Sequence, residues 1–202
     1  MDDWKAKQAA RQSAARALQA ANPHLVPISE KVDGLQAAAK NIRIELARAF
    51  PKIKFSVKSR RFSGGDAIDV KWIDGPVCRQ VDEIIGRYSA GSFNGMDDSY
   101  SYARDAWKDA FGAGKYVHSS RDSSDKAVAS AARYVCGMYG VDVSKFPADG
   151  VVAAFRTGEL YRIQPNGSGL LNLQDLIYQE ISRRSWAIAK RQPVLKLEEI
   201  AA

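Results

Sequence analysis

The sequence predicts an α+β fold, and three observations predict it. Some segments repeat their apolar residues every 3.6 positions and others every second position, so helices and half-buried strands occur in one chain. The two strand-like segments are adjacent and joined by a short Gly-Gly connection, the pattern of an antiparallel hairpin. The 202 residues are 46% hydrophobic and 26% charged, a composition that supports a globular core. The expected architecture is an αββα unit around that hairpin, preceded by an Ala-rich N-terminal helix and followed by a C-terminal β-hairpin and a long helix.

Residues 4–21 are strong helix formers, yet Trp4 and Leu18 are their only bulky apolar side chains. They predict a helix that buries little and docks loosely or projects as an arm. Pro23 and Pro27 mark a linker after it. A second helix is expected from Asp33 to Phe50, with Leu35, Ala39, Ile42, Leu46 and Ala49 inward and Pro51 as its stop. In Ile53-Lys54-Phe55-Ser56-Val57-Lys58 and again in Ile68-Asp69-Val70-Lys71-Trp72 the period changes to two. The intervening residues 59–66 read as the connection.

Asp74-Gly75-Pro76 suits a turn into a helix carrying Val77, Val81, Ile84, Ile85 and Tyr88 on one side, with Pro76 at its first position. Residues 93–102 read as loop, and 115–119 as a short strand. A helix from Ser124 to Tyr139 ends before Gly140. Residues 151–163 suggest a hairpin turning at Thr157-Gly158-Glu159. Asn172, with Asp175 three residues on, opens the last helix in a capping-box-like arrangement. The expected division is 1–30 as arm and linker, 31–142 as the α+β domain, and 143–202 as a hairpin and helix packed on that domain.

A disordered chain would have fewer apolar residues, and a disulfide-stapled miniprotein more than two cysteines. No apolar run approaches the roughly 18–20 residues that span a bilayer. Met1-Asp2-Asp3-Trp4-Lys5 lacks the character of a secretory leader, so a cytoplasmic setting without a membrane partner is expected.

The net charge is +7, and residues 40–80 carry +6 of it. A focused charge of this kind attracts anions, whereas a solubility charge is spread. On the hairpin, Lys52, Lys54, Lys58, Arg60, Arg61 and Lys71 outnumber Asp66 and Asp69. Phe62 offers a stacking surface, and Gly64 and Gly65 permit close backbone approach. These nine residues, from Lys52 to Lys71, are the candidate nucleic-acid or partner site. The alternative is a solvated ribbon whose Phe62 folds back on the core and whose charge is answered from elsewhere in the fold.

The block from Leu35 to Tyr102 has a collective pattern. It runs through Ala49-Phe50-Pro51, Lys54-Phe55-Ser56-Val57, Arg60/Arg61 with Ser63-Gly64-Gly65, Ile68 to Trp72, Asp74-Gly75-Pro76 and Phe93-Asn94-Gly95-Met96-Asp97. This order and spacing resembles the large polyvalent-protein-associated domain numbered twenty-nine in its series, and Lys115-Tyr116-Val117 with Arg121-Asp122 extends the likeness. The resemblance implies an accessory module of phages and conjugative plasmids that helps incoming DNA survive host defences. The expected function is non-enzymatic: binding of nucleic acid, or of a host defence nucleoprotein, through the basic hairpin in the host cytoplasm. One alternative is direct inhibition of a CRISPR or restriction effector, and a second is a metal-dependent nuclease.

Other motifs carry less. Gly112-Ala113-Gly114-Lys115 lacks the earlier glycine and the following Ser/Thr of a phosphate-binding loop, because Asp109 and Tyr116 stand there. Cys78, Cys136, His24 and His118 lack zinc-ligand spacing, and the cysteines read as core or near-core packing. Asp97-Asp98 and Asp122…Asp125 suit turns and caps better than cation binding. No cofactor, metal ligand or catalytic residue is expected.

Overall fold

The computed structural model describes residues 2–185 apart from 95, 97, 104, 143, 145 and 147–149. The fold is α+β, as expected. The described residues form two compact units, one from those up to Ile73 together with Cys78–Asp122, the other from Asp74–Val77 and those from Ser123 to Ser185.

In the first unit, helix α1 (Asp2–Ala21) lies against α4 (Ala106–Phe111). Ala15 is buried there, Gln19 Nε2 donates to the Ala110 carbonyl at 3.3 Å, and Arg11 pairs with Asp109. Helix α2 (Gly34–Ala49) starts where sequence places it. Asp33 caps it, its side chain accepting from the backbone N–H groups of Leu35 and Gln36. Leu35, Ala39, Ile42 and Leu46 are buried on the expected stripe. Asn41, fully buried on the same helix, accepts from Val26 N–H at 2.7 Å and donates to the carbonyls of Val26 and Phe111. It thereby ties the linker and α4 to α2 with its own polar atoms satisfied.

Strands β1 (Ser56–Phe62) and β2 (Gly65–Ile73) form the expected antiparallel hairpin. Its strands run longer than the alternation suggests, and Ser63-Gly64 alone make the turn. Residues 59–62 and 65–66 are therefore strand, because continued pairing satisfies backbone groups that an eight-residue loop would leave to water. Ile53 and Phe55 precede the strand and pack partly buried against the core. Strand β5 (Tyr116–Asp122) joins β2 in parallel, giving the order β1-β2-β5.

Helix α3 (Cys78–Ile85) begins two residues after Pro76, so Pro76 lies outside it rather than at its first position. Gly91–Asn94 and Ser99–Tyr102 are not loop but a small antiparallel pair, β3 and β4. Helices α2 and α3 pack on one side of the three-stranded sheet, with Val57, Ile68, Val70 and Trp72 in their shared core with Ile42, Leu46, Val81 and Ile85.

The approach of α4 to α2 depends on Gly112. Its φ of 81° is left-handed, and a Cβ there would stand 1.9 Å from the carbonyl oxygen of Gly34. Gly112→Ala is expected to cost about 2–3 kcal/mol, from backbone strain and a clash with main chain that has no side chain to move. Urea denaturation measures it, and an unchanged midpoint contradicts it.

The second unit contains α5 (Asp125–Tyr139), α6 (Gly150–Thr157) and α7 (Leu173–Arg183). Ser124 caps α5 and left-handed Gly140 ends it. Asn172 accepts from Asp175 N–H at 2.9 Å and donates to its carboxylate at 2.7 Å, the expected capping interaction. The hairpin expected at 151–163 is instead α6 followed by a 3₁₀ turn at Glu159–Arg162. Val151, Ala154 and Phe155 face inward at i, i+3 and i+4, a helical period that the short Val-Val-Ala-Ala-Phe run conceals. Gly158, at φ 80°, makes the break that resembles a hairpin turn.

Candidate nucleic-acid interface

Register assigns each candidate residue to a face. Directly paired residues share a side of the sheet, so Val57 with Val70 and Ser59 with Ile68 mark the helix-covered face. Ser56 with Lys71, Lys58 with Asp69, and Arg60 with Ala67 mark the opposite face. There Lys58, Arg60, Phe62, Lys71 and Ile73 are exposed to water. Lys52 and Lys54 are exposed on the segment leading into β1.

The two neighbouring arginines point to opposite sides. Arg60 lies on the open face with its Nε 3.0 Å from Asp69 Oδ2. Arg61 turns toward the helical side, where its guanidinium is 2.9 Å from Asp33. The Gln36 backbone N–H foremost, with help from Arg61, holds the Asp33 carboxyl below its usual value. Both pairs are well exposed, so each contributes about 0–1 kcal/mol. Arg60→Ala/Arg61→Ala is therefore expected to shift the melting temperature by only a few degrees. A collapse of the melting transition would show the arginines to be structural.

Lys52, Lys54, Lys58 and Lys71 have no carboxylate partner among the described residues. Arg60 and Arg61 pair with Asp69 and Asp33, Asp66 lies opposite Arg61, and Asp122 stands beside Ile73 at the far end of the open face. Against the ribbon's six cations these four carboxylates leave an excess of positive charge. Asp66 is further engaged, accepting from the backbone N–H of Lys115 at 2.6 Å.

At the turn, Gly65 has φ 141°, and the place where its Cβ would stand is taken by the Lys115 stem at 2.6 Å. Lys115 Nζ reaches across to donate to the Gly64 carbonyl at 2.8 Å. Phe62 does not fold into the helical core. It remains 42% exposed on the open face and stacks on Tyr116, ring centroids 6.2 Å apart and planes 19° from parallel. Tyr116 in turn stacks on His118 at 6.0 Å and 9°. Tyr100 of β4 meets Tyr116 edge-on at 5.7 Å, and its hydroxyl donates to the Lys115 carbonyl. Arg60 lies 5.4 Å from the Phe62 ring centre, and Lys115 Nζ lies 5.3 Å from those of Tyr100 and Tyr116.

Lys115, Tyr116, His118 and Tyr100 are the members of this face that the hairpin alone does not reveal. The alternation in Tyr116-Val117-His118 puts both rings on one side, a readable signal. The parallel pairing that brings them to β2 is not readable, since Asp66 and Lys115 are 49 positions apart.

Among the described residues no group of three or more His, Cys, Asp or Glu side chains is placed to hold a metal ion. Asp97, half of one acidic pair, lies outside the described residues. Burial raises the Cys136 thiol, which disfavours the thiolate a nucleophile needs. No helix among the described residues is long and apolar enough to cross a membrane.

The fold is thus an α+β module whose mixed sheet is helix-covered on one face and carries cations and rings on the other. Residues 34–124 match the family described as large polyvalent protein associated domain 29. The match runs from the first residue of α2 to the cap of α5 and contains the whole three-stranded sheet. No curated protein and no solved structure matches the chain.

Proposed function

We propose that this chain is a non-enzymatic accessory protein of a mobile genetic element that binds nucleic acid through the phosphate backbone, using the basic hairpin. The observation that carries this reading is the set of lysines that have no ion-pair partner among the described residues, Lys52, Lys54, Lys58 and Lys71, on and beside one exposed ribbon. Cations whose charge is not answered locally favour phosphate and release its counterions on contact. The family match to domains associated with large polyvalent proteins supports the mobile-element setting. Protection of incoming DNA against host defence is the role that this setting favours.

Fluorescence anisotropy with labelled DNA and RNA tests the proposal. Binding near 50 mM salt should weaken steeply as salt rises, with log K falling by about 0.7–0.9 per phosphate contact for each tenfold increase. No binding to any nucleic acid under those conditions overturns it. A protein partner captured from host lysate and retained after nuclease treatment would point instead to direct inhibition of a defence effector.

A further inference from the structure

We infer that the open sheet face binds single-stranded nucleic acid by base stacking, with Phe62, Tyr116 and His118 as the stacking platform. This inference rests on the nucleic-acid reading above and names its substrate class. The hairpin's lysines by themselves would take phosphate from any nucleic acid, duplex or single strand. The rings add a requirement that a duplex cannot meet, because its bases are already stacked and paired.

Three features make the face suit an unpaired strand. The rings of Phe62, Tyr116 and His118 are near-parallel and come one from each edge strand of the sheet and one from two positions along β5. They stand on the face opposite α2 and α3, where Phe62 and His118 are exposed. Cations are interleaved with them: Arg60 beside Phe62, Lys115 beside Tyr116, and Lys58 and Lys71 on the same face. Stacking surfaces flanked by phosphate-binding cations are the two elements of sequence-tolerant single-strand recognition. Beneath the rings Ala67 is only 1% exposed, so the small residue at the centre of the sheet lets Phe62 and Tyr116 meet above it.

A purely structural role, shielding Ala67, is the competing account, and it makes opposite predictions. Three labelled probes about 12 nucleotides long separate the two: oligothymidylate, an abasic strand of the same backbone, and a duplex. The full chain should bind oligothymidylate at least about tenfold tighter than either other probe. Phe62→Ala and His118→Ala should each weaken oligothymidylate binding about 5- to 100-fold. They should leave abasic-strand affinity, the salt slope and the melting temperature nearly unchanged. Tyr116→Leu, which keeps the apolar cover, should behave likewise. Equal affinity for oligothymidylate and the abasic strand, unmoved by these variants, overturns the platform while leaving phosphate binding intact. Failure to bind all three probes removes the nucleic-acid reading itself, and the platform with it.

Discussion

Trp72→Ala is expected to cost the sheet-bearing unit about 3–5 kcal/mol, the largest stability loss of any single change considered. Trp72 is 3% exposed on the central strand β2, its ring 5.5 Å from that of Phe55 and tilted by 48°. Removing it opens a cavity in a core bounded by secondary structure on both sides, where collapse is resisted. Lys71 precedes it on the open face, and Lys71→Ala should stay within about 0.5 kcal/mol of the parent. Chemical denaturation of the two variants reads the difference directly. A Trp72→Ala loss below about 1 kcal/mol would contradict the placement of this ring.

Charge reversal on the open face carries the largest expected effect on binding. Lys58 and Lys71 occupy neighbouring positions there, opposite Asp69 and Ser56 respectively. Lys58→Glu/Lys71→Glu removes two phosphate contacts and adds two repulsive charges. Affinity for a single strand at low salt should fall about 100-fold, and the salt slope should flatten by about 1.4–1.8. Lys40→Glu/Arg48→Glu is the matched control. It changes the net charge equally, on a helix that packs against the other face of the sheet. These charges make no contact with a strand held on the open face and act on it only at long range. Affinity should therefore change by much less, about threefold, at 0.1 M salt where the Debye length is about 10 Å. Equal losses from the two pairs would mean that overall charge, and no particular face, drives association.

The sequence was informative where one residue type has one local use. Asp33, Ser124 and Asn172 begin helices because their short side chains accept from free N–H groups, and all three sit where spacing places them. Alternation correctly separated Val57, Ile68, Val70 and Trp72 from Lys58, Asp69 and Lys71. It was uninformative where several structures share one pattern. Val151-Val152-Ala153-Ala154-Phe155 suits a buried strand as well as a helix, and only its burial at i, i+3 and i+4 decides. Ser99-Tyr100-Ser101-Tyr102 has the alternation of a strand but the composition of a loop.

The candidate site divides along the same line. Its cations were legible as a cluster in the sequence, whereas Arg60 and Arg61 look equivalent until the register sends them to opposite faces. The aromatic half depends on a parallel pairing between distant segments, which no local pattern encodes.

Backbone amide shifts of the isotope-labelled full chain, followed during titration with oligothymidylate, locate the bound strand without any substitution. The largest changes should fall at Lys58, Arg60 and Phe62 on β1, at Asp69 and Lys71 on β2, and at Tyr116 and His118 on β5. Changes confined to α1, α2 or the helices after Ser123, with those strand amides unmoved, would show that the ligand binds elsewhere.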